Sequence, residues 1–407
     1  MGRQGMIRIV FGVLLGIAAV AGVFLIASRA AHTMPGGEAL RYPWEAMRSM
    51  VVQGEDPYAH WQLLYAWTIH DGGTLTPQIY PLHTAVVFFL PLALIRDFMA
   101  ARALAMVGLW LAWAFAAWYA ARAFGWRGGR LLGTAVFLFG VSWFFSVEAW
   151  LRADVIGLVL ALEVFTLASL TRRHDRLAGV WLALTLIKPL LVWPAAVFLL
   201  FWAVSRRRWG VWLGFWGTTA VLFAFSWWLL PGWPLKAVQL ALQFPGQDII
   251  HRMIAAAAPG IGRHLGWLLM ALLVGFVLLE WSISWGKPTS RAVWMVALTL
   301  WGSLWWSGRV AVADHVLLLI PLGVVWLHWS NRWKTYGRWA VWGSLAAFWL
   351  ISWALWWPHG WHPQALAKSI ALHTLVPLLV WPLLYSVRWW ATRTYAAWED
   401  TLPLELL

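Results

Sequence analysis

The sequence predicts an all-α, polytopic integral membrane protein, and three observations carry that expectation. Of its 407 residues, 62% are hydrophobic and only 11% charged, against about 25% charged in an ordinary soluble domain. Mean hydropathy is +0.69. Stretches at 7–28, 209–230 and 339–357 are nearly uncharged and long enough to cross a hydrocarbon core. The chain also holds 39 tryptophans, many beside arginine or at segment ends. Aromatic belts at the membrane interfaces explain most of them, with sugar stacking as the competing use for a few.

The net charge of +14 does not indicate a nucleic-acid partner. Its cations fall in short clusters between apolar segments: Arg3/Arg8, Arg122/Arg127/Arg130, Arg172/Arg173/Arg176, Arg206/Arg207/Arg208, Lys287/Arg291, Arg332/Lys334/Arg338 and Arg388/Arg393. That is the pattern of the positive-inside rule. Cysteine is absent, which removes disulfides and thiolate metal sites. The basic start and the apolar run of about 20 residues after it fit an anchor better than a cleaved signal.

Placing all the basic clusters on the cytoplasmic side gives about ten spans, near 7–28, 103–122, 131–147, 155–171, 209–230, 264–283, 292–306, 315–329, 339–357 and 369–387. Both termini are then cytoplasmic, and the whole of 1–407 forms a single transmembrane domain. Two apolar stretches are left over. Segment 82–95 lies between Pro81 and Arg96 with Pro91 inside. As a helix it would reach roughly 21 Å, short of a core of roughly 30 Å, so a re-entrant or interfacial piece is expected. Segment 177–205 carries Lys188-Pro189 at its middle and predicts two short helices meeting near Lys188, with one long tilted span as the alternative. Irregular backbone at membrane depth survives only where protein or a watery cavity surrounds it. Both segments therefore point to a cavity opening outward.

This topology leaves two long external loops, about 29–80 and about 231–263. In the first, Pro43 is expected to open an amphipathic helix with Trp44, Met47 and Val51 on one face. Gly54-Glu55-Asp56-Pro57-Tyr58 would end it as a turn. The second is punctuated by Pro234, Pro245 and Pro259.

Ionisable residues placed outside or inside the membrane are functional candidates. The acids are Glu38, Glu45, Glu55, Asp56, Asp71, Glu148, Asp154, Asp248 and Asp314; the cations and histidine near them are Arg152, Lys188, Arg252, Arg309 and His315. Such a mixture suits a polar substrate with a phosphate, which takes cationic partners, while a hydroxyl nucleophile takes a carboxylate as base. Glu38 is the first choice for that base and Asp56 the rival, against the plainer reading of solvated loop acids. Lys188 is assigned to phosphate, against a structural pair with Glu163 or another acid. Arg309, Asp314 and His315 are expected to form a late wall of the same cavity, against Asp314 as a simple helix cap.

In their order along the chain, the motifs resemble a known family. Glu38-Ala39-Leu40-Arg41-Tyr42, then Gly54-Glu55-Asp56-Pro57-Tyr58, then Tyr80-Pro81 before an apolar helix are similar to the first external region of glycosyltransferase family 87. Ile187-Lys188-Pro189 and Asp314-His315 resemble later stretches of that family, so the likeness runs over about residues 35–325. It departs at Glu38, where the family has Asp, and at Pro81-Leu82, where it has two prolines. It departs again between Glu148 and Asp154, where many members carry Gly-Gln.

The resemblance implies a GT-C fold in a bacterial plasma membrane. It also implies transfer of mannose or another hexose, with inversion, from a polyprenyl-phosphate carrier to a glycan or glycolipid hydroxyl. Substrate-binding roles are then expected for Tyr42, Tyr80, Glu148, Arg152, Asp154, Lys188, Arg309, Asp314 and His315. No Asp-rich motif lies on the basic side, so neither a metal nor a cofactor is expected; the remaining partners are membrane lipids. A secondary transporter or lipid flippase, or an O-antigen ligase-like or polymerase-like enzyme, are the other classes the residues allow.

Overall fold

A computed structural model describes residues 3–58, 80–243, 250, 254, 260–307, 310–357 and 370–392. The chain is all-helical over these residues, with no strand among them. Helix α1 is Arg3–Thr33. Helix α2, Glu38–Arg48, runs on into a π-helical turn at Ser49–Gln53. Helices α3 (Leu82–Ala93), α4 (Phe98–Ala123), α5 (Arg130–Ser142) and α6 (Phe144–Leu151) come next. Then come α7 (Ile156–Thr171), α8 (Asp175–Thr185), α9 (Pro189–Ser205), α10 (Trp209–Leu229) and α11 (Trp233–Gln243). After these are α12 (Gly262–Ser284), α13 (Thr289–Trp306), a 3-10 turn at Val312–Leu318 and α14 (Leu319–Arg332). The last are α15 (Lys334–Trp356), α16 (Ile370–Ser386) and α17 (Arg388–Ala391).

Five helices among the described residues are long and apolar enough to cross a membrane: α4, α10, most of α12, α14 with its preceding turn, and most of α15. The bent pair α5–α6 makes a sixth if it counts as one span. Outward-facing apolar side chains suit this reading. Leu213, Trp216 and Val221 on α10 and Trp339 and Leu350 on α15 are exposed, as they would be against lipid.

Hydrogen bonds sort the loops onto two ends. At one end the backbone N–H of Arg127 donates to Asn331 and the indole of Trp202 to the Lys287 carbonyl, while Arg208 binds Asp175, Thr289 and the Leu170 carbonyl. Glu280 accepts from Arg291, Arg388 and Tyr385 nearby. Basic clusters from six parts of the chain thus share one end. At the other end Arg102 binds the segment after α1 at Met34 and Pro35, Lys236 on α11 pairs with Asp56 at 2.7 Å, and Trp44 donates to the Leu92 carbonyl.

Three expectations about local structure change. Helix α2 begins at Glu38 rather than at Pro43, which lies buried inside it. Gly36 and Gly37 adopt positive φ (116° and 93°) and turn the chain into the helix five residues early. Val51 leaves the Trp44–Met47 face and is exposed, because the π turn adds a residue to the repeat and rotates its own side chains off that face. Segment 131–147 is broken: Trp143 is extended (φ −63°, ψ 140°), and α5 and α6 meet at 51°. No proline or glycine sits at that break. The Trp143 indole instead donates to Ser352 Oγ at 2.9 Å and the Phe348 carbonyl at 3.2 Å, so packing against α15 holds the bend.

Segment 82–95 holds a helix of 12 residues with extended Pro81 before it, and one further expectation matches. Segment 177–205 splits into α8 and α9 with Lys188 between them. Much of 231–263 lies outside the described residues, as do Asp71, Asp248, Arg252 and Arg309.

Candidate functional site

The Lys188-Pro189 sequence makes the site possible. Proline has no N–H to donate and restrains the residue before it away from helix, so Lys188 sits at φ −112°, ψ 72° between two helices. Its side chain reaches inward to two acids. Lys188 Nζ lies 2.8 Å from Asp154 Oδ1 and 2.6 Å from Asp314 Oδ1, and all three residues are buried. The partner is therefore not Glu163.

Each carboxylate is fixed by the backbone of its own element. Asp154, in the turn before α7, accepts from the N–H of Ile156 at 2.9 Å. Asp314, inside the 3-10 turn, accepts from the N–H of Ala311 at 2.8 Å. Asp314 thus closes the start of its turn and also binds Lys188, so the cap and the ion pair coexist. Two carboxylates share one ammonium, and the added backbone donors help stabilise the second negative charge. Tyr80 lies close by, before α3. Burial first, and then the charges of Asp154 and Asp314, hold its phenol well above its ordinary value.

A second ionic group adjoins the first. Arg152 pairs with Glu148 one turn back on α6; Glu148 is buried, while Arg152 keeps part of its side chain open. Glu38, half-buried at the start of α2, lies within electrostatic range of Arg152, Glu148 and Arg102. Tyr42, one turn along, is half-buried; burial and then the Glu38 charge raise its phenol. His315 is buried against Phe145 and His373, with its ring nitrogens 3.2 Å from the carbonyls of Val312 and His373.

Asp56 stands apart from this group. It accepts from the N–H of Tyr58 at 2.9 Å and pairs with Lys236 on α11. Tyr58 Oη accepts from the N–H of Leu82 at 3.1 Å and donates to the Tyr80 carbonyl at 3.4 Å, pinning the start of α3. Pro43, Met47, Tyr58, Tyr80 and Phe89 line a cleft of about 20 Å³ between α2 and α3, room for about one water.

Two charged groups escaped sequence reasoning. Arg102, buried on α4, binds only backbone carbonyls among the described residues, which leave no signature in a sequence. Glu280, Arg291 and Arg388 tie α12, α13 and α17 together at the basic end; an acid inside an apolar helix was the available signal. Among the described residues no three His, Cys, Asp or Glu side chains gather as a metal site requires. Comparison with protein families, with curated proteins and with solved structures returns no match for this chain.

Proposed function

We propose that the protein is a membrane glycosyltransferase that moves a hexose from a polyprenyl-phosphate carrier to an acceptor hydroxyl. The observation that carries this reading is half-buried Glu38 within electrostatic range of the Glu148–Arg152 pair, at the end of the bundle that also holds the Lys188 centre. A base with partial access to solvent next to a partly open cation is what hydroxyl attack on a phosphate-linked sugar requires.

In the proposed reaction Glu38 takes the proton of the acceptor hydroxyl as its oxygen bonds to the anomeric carbon. The bond from that carbon to the carrier phosphate breaks, and the polyprenyl phosphate leaves with the electron pair. Arg152 is assigned to that phosphate, because its side chain is partly open and paired with one acid, whereas Lys188 is buried between two. Lys188, Asp154 and Asp314 then shape the wall behind the sugar. The proposed setting is a bacterial plasma membrane with about ten crossings, the basic end cytoplasmic and the GT-C arrangement implied by the family 87 likeness.

The test is transfer by the purified, reconstituted protein given a polyprenyl-phosphate hexose, with a polyprenyl-diphosphate glycan as the competing donor. Glu38→Gln keeps size and hydrogen bonding but removes basicity, so turnover should fall about 100-fold or more while donor still binds. Near-normal turnover in that variant would remove Glu38 from the role of base.

One observation favours a second reading. Glu163 lies fully buried in α7 beside Thr185 with no cation paired to it among the described residues, and an intramembrane acid next to a broken helix suits ion-coupled transport. Movement of the lipid-linked sugar across the bilayer without transfer to an acceptor would select it.

A further inference from the structure

Arg102 is the only described charged residue in the apolar stretch between Asp97 and Arg122, and it is 2% exposed. No carboxylate among the described residues hydrogen-bonds it. Its Nη1 donates to the carbonyls of Ala31 (2.8 Å) and Met34 (3.2 Å), and its Nη2 to those of Pro35 (3.3 Å) and Leu151 (2.6 Å). Ala31 lies in the last turn of α1, Met34 and Pro35 in the link to α2, and Leu151 at the last position of α6. The guanidinium thus sits between two helix C-termini, whose unpaired carbonyls and partial negative charge offset the cost of burying it.

The segment it grips leads directly into Glu38. Gly36 and Gly37 turn over the arginine so closely that a Cβ on Gly37 would stand 2.9 Å from Arg102 Cδ and Nε. Steric fit and hydrogen bonding therefore specify the same corner from both sides. The other end of the grip, Leu151, directly precedes Arg152.

We infer that Arg102 is a positioning residue: it locks the Gly36–Gly37–Glu38 corner against the Leu151–Arg152 turn and so sets where the Glu38 carboxylate stands relative to Arg152. This deepens the transferase reading and rests on it for the catalytic consequence. A planar fork is needed, because four carbonyls from two directions lie in reach of five fixed donors, whereas lysine offers one point charge with three. An error of about 1 Å in a base can cost about 100-fold in rate.

The absence of cysteine allows a direct test. Spin labels at Arg41→Cys, exposed on α2, and Trp228→Cys, exposed at the end of α10, report the position of the corner without reference to activity. With Arg102 present one narrow distance distribution is expected. Arg102→Lys should broaden or split it, and Gly37→Ala, which keeps the arginine but intrudes on it, should do the same. Turnover should fall 10-fold or more in both, with the donor KM changed less than about 2-fold, because a displaced base slows the chemical step more than binding. An unchanged narrow distribution in both variants would overturn the inference. A distribution that responds in a protein showing no transfer with any donor would confirm the grip while removing the transferase reading.

Discussion

At the residue scale the chain treats buried charge in two ways. Lys188 is met by two carboxylates at 2.6 and 2.8 Å, and Arg102 by four backbone carbonyls. The difference bears on substitution. Lys188→Met leaves Asp154 and Asp314 buried and facing each other without a counter-charge, a loss of about 3–5 kcal/mol by comparison with other broken buried pairs. The folded fraction recovered in detergent and the unfolding temperature should drop sharply. Lys188→Met combined with Asp154→Asn and Asp314→Asn removes the charges together and should restore most of that stability. If the single variant folds as well as the parent and only its donor affinity falls, Lys188 is a phosphate ligand and its ion pairs are incidental.

At the element scale, interruptions of helices position the chemistry. Three breaks, at Trp143, at Lys188 and in the 3-10 turn before α14, bring Arg152, Lys188 and Asp314 to one end. The break at Lys188 is legible in the sequence, because proline announces it. The one at Trp143 is not, since an indole held by α15 residues more than 200 positions away causes it. Pro43 misled in the opposite direction: it stands inside α2, past the first turn where a proline usually opens a helix, and the glycines before Glu38 carried the decisive signal. Close packing then fixes the elements around these breaks. A Cβ on Gly214 of α10 would stand 2.0 Å from the Arg176 carbonyl, and one on Gly179 of α8 would stand 2.2 Å from the Val211 carbonyl. These two helices meet backbone to backbone, as small residues allow in membranes. Gly214→Leu should therefore force them apart, at a cost of about 1–3 kcal/mol or more, and lower the unfolding temperature. The same change at Gly217, which has open space around it, should be close to silent. Equal effects at the two positions would show that the crossing is too loose for backbone contact.

At the scale of the whole molecule, composition was enough for the helical membrane class, and charge spacing for grouping the basic clusters. Besides Arg3/Arg8, the sequence groups clusters at 122–130, 172–176, 206–208, 287–291, 332–338 and 388–393. Contacts of Arg127 with Asn331, Trp333 with Trp390, Arg388 and Arg291 with Glu280, and Arg208 with Thr289 and Asp175 bring described members of the last six to one end. The partners of the site acids were not legible, because pairing Asp154 with Lys188 and Asp314 spans residues up to 160 apart, and periodicity speaks only within a helix. Sidedness is what the gathered charges predict: the basic end faces the cytoplasm, since lysine and arginine near the span ends resist translocation. Single cysteines can read this out, again because the parent has none. Arg127→Cys and His174→Cys, exposed at the basic end, should react with an impermeant maleimide only after the cells are permeabilised. Val52→Cys and Leu242→Cys, exposed at the other end, should react in intact cells whose outer barrier is open. The reverse pattern would invert the protein, leaving Glu38 and Arg152 on the cytoplasmic side. A lipid-linked donor presented outside would then never meet them. Reaction of all four without permeabilisation would mean that the two ends are not separated by a bilayer at all.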